Sequence, residues 1–219
     1  MAQDELRTQL VLALPAQSGC GPGLARLVAA AAQVAPIATV VIEPDPELPI
    51  LPPELAPAVE QVQALGIATL IARDASLARL VKADGVHLPV SKVAPAEYRE
   101  ARETVGSRFI VGVDVGRTRH DAMMLGEEGA DYIAFGIPAH VEDRHTARAR
   151  RRELIAWWSE IFEVPCVAFD VETPEDAHDL AASGADFIAV RVPSGLLPED
   201  IEAYLSPFVE ELAITAPRV

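Results

Sequence analysis

The sequence is poor in basic residues and has no long apolar run. Its 219 residues include 18 Lys and Arg against 33 Asp and Glu, which gives a formal net charge of −15. Nucleic-acid binding relies on clustered Lys and Arg that contact phosphates, so this balance argues against a nucleic-acid partner. Charged residues, Gly or Pro interrupt every apolar stretch before the roughly 18 residues that a membrane-spanning helix needs. We therefore expect a protein that binds neither nucleic acid nor a membrane.

Cysteine is also scarce, which bears on location. Cys20 and Cys166 are too few for a disulfide framework. The start of the sequence, MAQDELRTQLVLALPAQ, carries acidic residues where a secretory signal would have basic ones. We expect a cytoplasmic protein.

The one basic cluster, RHTARARRR (144–152), is either a solvated loop and helix start or a lid that attracts anions.

Short apolar, β-branched runs alternate with helical stretches eight times along the chain. The strand-like runs include LVLALPA, ATVVIEP, GVHL, DYIAFG and DFIAVRV. Nearly continuous apolar strands that alternate with helices predict a parallel sheet covered by those helices. Eight such units in this length predict a (β/α)8 TIM barrel, a single domain over residues 1–219. A doubly wound open sheet is the alternative, because the two folds differ only in closure.

A short motif recurs three times, as KADGVHL (82–88), GADYIAF (129–135) and GADFIAV (184–190). Its aspartates lie between a helix end and a strand start, where a short polar side chain can bond the amides of a turn. Strand starts are at the stability face of such a barrel, away from the active face. We therefore expect the three aspartates of this motif to be structural; they are Asp84, Asp131 and Asp186.

His87 occupies the place that alanine takes in the other two copies of the motif. Its neighbours Val86 and Leu88 match bulky residues there, so the period of two places the bulky set against the helices. His87 then points into the barrel interior. It is either a hydrogen-bonded interior residue or a residue that contacts a ligand.

The candidate site of a barrel is built from the carboxyl ends of its strands. Several charged residues follow the strand-like runs, and their shared location favours binding of an anion or a metal. Asp74 is a candidate Mg²⁺ ligand or, alternatively, the cap of the next helix. The candidate substrate-binding residues are Glu43, Asp45, Arg73, Lys92, Asp114, Arg144 and Asp170.

Four segments together resemble the thiamine phosphate synthase family, which includes the thiazole tautomerase branch. They are IARDASLARLVKADGVHLP, RFIVGVDV, GADYIAFGIP and VPCVAFDVETPEDAHDLAASGADFIAV, and they cover roughly residues 67–192 in order. The resemblance implies a (β/α)8 barrel that joins hydroxymethylpyrimidine diphosphate to thiazole phosphate. It also implies Mg²⁺, which holds the departing pyrophosphate.

The residues that would bind anions depart from the family pattern. A Gln-x-Arg-x-Lys-like segment after the second strand is replaced by VIEPD, which contains Glu43 and Asp45. The Gly-Gly phosphate loop after the seventh strand falls on Phe169-Asp170. An aspartate there blocks the approach of backbone amides and repels a phosphate. The lysine of the sixth-strand loop is approximated by Arg144.

The metal-binding and branch-defining positions also differ. The Asn-Asp pair of the family appears as Arg73-Asp74, which keeps one metal ligand, while the second metal-binding aspartate falls on Lys92. The serine in the GVS segment of the family corresponds to Asp114. The histidine that marks the tautomerase branch falls on Ile137.

These departures leave three hypotheses for function. The chain is an active thiamine phosphate synthase, a diverged barrel that binds another, less anionic or cationic small molecule, or a silent binding or regulatory protein. The site residues favour reduced or lost ancestral activity. A homo-oligomer is compatible with the sequence.

Overall fold

Among the residues that the structure describes, eight strands close into a parallel barrel in chain order. The computed structural model describes residues 8–17, 19–138 and 140–215. Each strand pairs with the next, and β8 pairs with β1, which confirms the closed barrel and excludes the open sheet. The strands are β1 (Gln9–Ala16), β2 (Ile37–Pro44), β3 (Ala68–Ala72), β4 (Gly85–Leu88), β5 (Ile110–Asp114), β6 (Tyr132–Phe135), β7 (Cys166–Val171) and β8 (Phe187–Arg191).

A helix follows each strand and covers the outer face of the barrel. The helices are α1 (Gly21–Val34), α2 (Pro52–Gln63), α3 (Ala75–Leu80), α4 (Ala94–Val105), α5 (Arg119–Glu127), α6 (Arg144–Ile161), α7 (Pro174–Ala182) and α8 (Ile201–Thr215). A 3-10 turn at Pro198–Asp200 precedes α8. In the part of the chain that the structure describes, no helix is long and apolar enough to cross a membrane.

Side-chain caps fix the start of four helices at the active face. Each cap accepts a hydrogen bond from the amide three residues later, which satisfies one of the free N–H groups of the first turn. These caps position the loops that surround the barrel opening. They are Asp74 on α3, Thr118 on α5, Asp143 on α6 and Thr173 on α7.

Strand side chains alternate between two apolar layers. Val86 and Leu88 of β4 pack in the outer layer against the helices, as the period of two predicts. Full burial of such a side chain contributes about 1.5–3 kcal/mol. Small and medium side chains fill the barrel interior, among them Val11, Ala13, Val41, Leu70, Ala72, Ala134, Val167 and Ala189.

The aspartates of the repeated motif are structural, but their partners differ from the prediction. They bond the amide of a residue on the preceding strand instead of amides of their own turn. Asp84 accepts from Thr69 N at 2.7 Å, and Asp131 accepts from Val111 N at 2.7 Å. Asp186 accepts from Cys166 N at 2.8 Å. Each carboxylate therefore ties the start of an even-numbered strand to its odd-numbered neighbour.

His87 lies in the barrel interior, as predicted, and forms the floor beneath the active face. It is 2% exposed, and its ring stacks on Phe169 with ring centroids 4.3 Å apart. Its Nδ1 is 2.8 Å from the hydroxyl of Tyr132. A Cβ on Gly112 would collide with the Tyr132 ring, so the glycine of RFIVGVDV makes room for this layer.

Candidate functional site

A cleft of 730 Å³ opens at the carboxyl ends of the strands, above the His87 layer. Its walls come from the ends of β2, β4, β5, β7 and β8 and from the loops after β3 and β6. Parallel barrels bring these ends together, which explains why residues distant in sequence share one cavity. The charged side chains that line it are Glu43, Arg73, Asp114, Arg144, Asp170, Glu172 and Arg191.

Arg191, at the end of β8, is held between two carboxylates. It forms a bidentate ion pair with Glu43, and its Nη2 is 3.3 Å from Asp170 Oδ1. Burial lowers the pKa of Arg191, but the hydrogen bonds and charges of Glu43 and Asp170 outweigh burial and raise it. The guanidinium is therefore already neutralised by groups of the protein, which weakens it as a receptor for a phosphate.

Asp170 stands in a backbone conformation that favours glycine. Its φ of 55° lies in the left-handed region, where a side chain is strained. The buried Arg151 of α6 stabilises this turn by donating to the carbonyls of Phe169 and Asp170 and to the Asp176 carboxylate. The Asp170 carboxylate is aimed at the cleft, where its Oδ2 accepts from Ile137 N at 3.1 Å.

Asp114 is an almost buried acid at the end of β5. It is 5% exposed, and its Oδ1 accepts from the amides of Gly116 at 2.7 Å and Gly136 at 3.0 Å. Burial raises the pKa of Asp114 to about 7, against the lowering effect of those two amides, and the charge of Asp170 raises it further. The side chain therefore exchanges its proton near neutral pH.

The basic segment at the start of α6 is engaged in ion pairs. Arg144, the first residue of the helix, donates to the carbonyl of Ile137 at 3.1 Å and pairs with Glu172. Arg148 pairs with the same glutamate. Burial raises the pKa of Glu172, but both arginines outweigh it and hold the pKa below its usual range. Of the two interpretations of this segment, the helix start is confirmed, while the lid that attracts anions stays a prediction. The charges of Arg144 and Arg148 face a carboxylate of the protein.

The structure brings five of the predicted site residues together and separates three. Glu43, Arg73, Asp114, Arg144 and Asp170 all line the cleft. The other three lie outside the lining of this cleft: Asp45 accepts from Glu47 N and Leu48 N in its own turn, Asp74 caps α3, and the exposed Lys92 lies in a neighbouring depression with Arg117.

The donor set does not fit the Mg²⁺ site that the resemblance implies. Asp74 uses one carboxylate oxygen on Leu77 N at 2.8 Å, and a lysine replaces the second acidic ligand. Over residues 8–17, 19–138 and 140–215, no group of three or more His, Cys, Asp or Glu side chains could hold a metal. Mg²⁺ binds through carboxylates together with substrate phosphates, so a single capping aspartate provides a poor anchor.

Three side chains that shape the site were not predicted. Arg151 is one of several arginines in the basic run, and the sequence does not distinguish it from the others. Its partner Asp176 lies in the acidic TPED segment. Tyr132 was identified only as a strand residue, although its hydroxyl bonds His87. Glu172 follows β7 directly. The rule that selected Asp170, a charged residue at the carboxyl end of a strand, would have found Glu172 as well.

Comparison with known proteins agrees with this architecture. The family described as thiamine monophosphate synthase matches residues 49–192. A thiamine-phosphate synthase of Erythrobacter litoralis is 38% identical over 166 residues, which span 73% of this chain and 76% of the relative. One from Rhodospirillum centenum is 43% identical over 129 residues, 59% of this chain and 61% of the relative.

A solved structure extends the fold comparison to nearly the whole chain. The thiamine phosphate pyrophosphorylase of Pyrococcus furiosus superposes with a TM-score of 0.70 over 97% of this chain and 98% of its own, at 16% identity. That likeness concerns the fold alone. The family match and the Erythrobacter relative carry the assignment further: this chain belongs to the thiamine monophosphate synthase family.

Proposed function

We propose that this chain is a diverged member of its family, with thiamine phosphate formation reduced or lost and the cleft adapted to another small molecule. The observation that carries the proposal is the end of β7. There Asp170 occupies a glycine-like conformation and directs its carboxylate into the cleft, bonded to Ile137 N and Arg191. By resemblance, this is the place where a Gly-Gly loop would offer backbone amides to a phosphate.

Charge in the cleft supports the same conclusion. Two like unit charges about 4 Å apart repel by about 4 kcal/mol at an effective dielectric near 20. That energy corresponds to about three decades in a binding constant. Arg191 and Arg144, two of the three arginines that line the cleft, are each paired with acids of the protein, which limits how far they offset the repulsion. A diphosphate therefore meets carboxylates where the family pattern would offer it donors.

Loss of preorganised charge also affects the rate. Departure of pyrophosphate requires developing negative charge to be neutralised, and removal of one preorganised donor typically costs about 10²- to 10³-fold. At least two such elements are altered here, the phosphate loop at Asp170 and the metal-binding position at Lys92. We infer a turnover far below the usual enzymic range of about 1 to 10³ per second.

A coupled assay with hydroxymethylpyrimidine diphosphate, thiazole phosphate and excess Mg²⁺ tests the proposal. We expect no useful turnover from the wild type and a measurable gain in the variant that combines Lys92→Asp, Phe169→Gly and Asp170→Gly. Glu160→Gln, which removes an exposed charge on α6, is the matched control and should match the wild type. Wild-type turnover in the usual range would refute the proposal. The variant removes the buried Phe169 ring that stacks on His87, so its fold is checked by circular dichroism. If the folded variant is also silent, Glu43, which still neutralises Arg191, is the next position to restore.

A further inference from the structure

The Asp114 carboxyl presents one oxygen to the cleft that accepts no hydrogen bond from the described residues. The side chain is 5% exposed, and both of its amide hydrogen bonds go to Oδ1. In the described ranges of the chain, no donor bonds Oδ2. Because the side chain lines the cleft, Oδ2 is available to a ligand there. Oδ2 is not among the buried atoms without a partner, so it is open to the cleft and a donor of a bound molecule can reach it.

A second carboxylate faces the same point in space. Asp114 Oδ2 and Asp170 Oδ2 both lie within 3.0 Å of the position that a Cβ on Gly136 would occupy. At most about 5 Å therefore separates the two oxygens. One nitrogen between them could donate to both at ordinary hydrogen-bond distances of about 2.9 Å. A Cβ on residue 136 would collide with both carboxyl groups, so glycine at this position lets the two side chains pack this close to the backbone.

The charged groups around Asp114 do not neutralise it fully. Asp170 on β7 adds negative charge and Arg151 on α6 adds positive charge, but the guanidinium of Arg151 is bonded to Asp176 and to backbone carbonyls. Tyr132 on β6 remains a neutral phenol, because burial raises its pKa and the charge of Asp114 raises it further. Burial and the charges of Arg73 and Arg191 lower the pKa of His87 on β4 to about 3, so this ring is neutral too.

We propose that Asp114 and Asp170 form a subsite for the protonated nitrogen of a small organic cation, an amine or an amidine, whose binding displaces a proton from Asp114. The subsite rests on the proposed function, since it requires a cleft that takes a ligand other than a diphosphate. No bond of the ligand changes. The Asp114 carboxyl loses its proton to solvent, and the resulting carboxylate accepts hydrogen bonds from the cation.

Benzamidinium and its neutral isostere benzamide are the probes that test the subsite. Benzamidinium stays protonated throughout the titration, so any proton released comes from the protein. Calorimetry near pH 6 in two buffers of different ionisation enthalpy should show release of close to one proton per benzamidinium bound. As the pH increases towards the pKa of Asp114, at about 7, the affinity for benzamidinium should increase about tenfold per pH unit. Above that pKa the affinity should be constant. Benzamide should bind more weakly and release no proton.

Two variants separate the subsite from general electrostatics. Asp114→Asn should abolish the proton release and the pH dependence, and its fold is checked by circular dichroism. Glu160→Gln removes one exposed carboxylate on α6 and should leave both properties unchanged. Equal affinity for the two probes, absence of proton release, or no binding of benzamidinium to the wild type would each overturn the subsite.

The outcome is distinguishable from that of the proposed function. If benzamidinium fails to bind while the wild type remains silent with the thiamine precursors, only the cation subsite is wrong. If the wild type forms thiamine phosphate at the usual rate, the proposed function is wrong whatever the probe does.

Discussion

Replacing Asp114 by Asn should make the protein more stable at neutral and alkaline pH. The Asn carbonyl oxygen can still accept from the amides of Gly116 and Gly136. The substitution removes a carboxyl that must ionise inside the protein as the pH rises. The cost of that buried charge falls on the folded state alone.

The magnitude follows from the pKa of Asp114. Its ordinary value is 3.8 and its value in the folded protein is about 7, so the folded state binds the proton more tightly. The stability that this group contributes is fully present below pH 3.8 and is lost as the pH rises through 7. About three pH units at about 1.4 kcal/mol each give about 4 kcal/mol. Relative to the wild type, the variant should gain up to this amount between about pH 4 and pH 8.

His87 hides this effect in the wild type. Its pKa falls from 6.5 to about 3, so the stability it contributes is present above pH 6.5 and is lost as the pH falls through about 3. Between pH 4 and 6, roughly, the two contributions have opposite slopes and nearly cancel. Only the difference between the wild type and Asp114→Asn isolates the carboxyl.

Reversible urea titrations followed by Trp fluorescence at several pH values measure that difference. We expect the free-energy difference between the two proteins to grow from about pH 4 to about pH 7 and then to level off. Glu160→Gln, an exposed change of the same charge, should show a flat difference. A flat difference for Asp114→Asn as well would refute the account of a buried, weakly acidic carboxyl.

Three further predictions concern the scaffold and the surface. His87→Ala should lower the free energy of unfolding by about 2–4 kcal/mol, because it removes the ring stacked on Phe169 and leaves the Tyr132 hydroxyl without its partner. The melting temperature should change more than the affinity for benzamidinium. Asp131→Asn should lower the free energy of unfolding by about 1 kcal/mol, because it weakens the hydrogen bond from Val111 N. Benzamidinium binding should not change. Lost binding at an unchanged melting temperature would contradict this structural role. With a net charge of −15, the protein should not shift duplex or single-stranded DNA in gels near physiological salt, and micromolar binding would contradict the charge argument.

The fold could be predicted because its signals are local and repeated. Strand alternation placed His87 inside the barrel and Val86 and Leu88 outside, because bulky residues alternate with His or Ala in all three copies of the motif. The partner of Asp84 could not be predicted, because it depends on the register between β3 and β4. That register joins residues of different strands and is set by packing of the whole barrel.

The site was predictable only as far as barrel topology decides it. Glu43, Asp114 and Asp170 belong to strands, and the closed barrel brings strand ends together. Asp45 lies only two residues after Glu43 but turns back to bond the amides of Glu47 and Leu48, so local loop geometry removes it from the cleft. Loop conformations of this kind depend on individual side-chain hydrogen bonds that a strand pattern does not encode.

The altered positions of the cleft form one connected group, which limits what a single reversal can achieve. Arg191 bridges Glu43 and Asp170, and Asp170 in turn raises the pKa of Asp114. Asp170→Gly alone would relieve the left-handed backbone and lower the pKa of Asp114, but Arg191 would remain paired with Glu43. Freeing Arg191 itself for a phosphate therefore requires both carboxylates to be removed, because Glu43 alone keeps the guanidinium paired. The residues of such a connected group couple in energy, so we expect the combined reversal to exceed the sum of the separate ones.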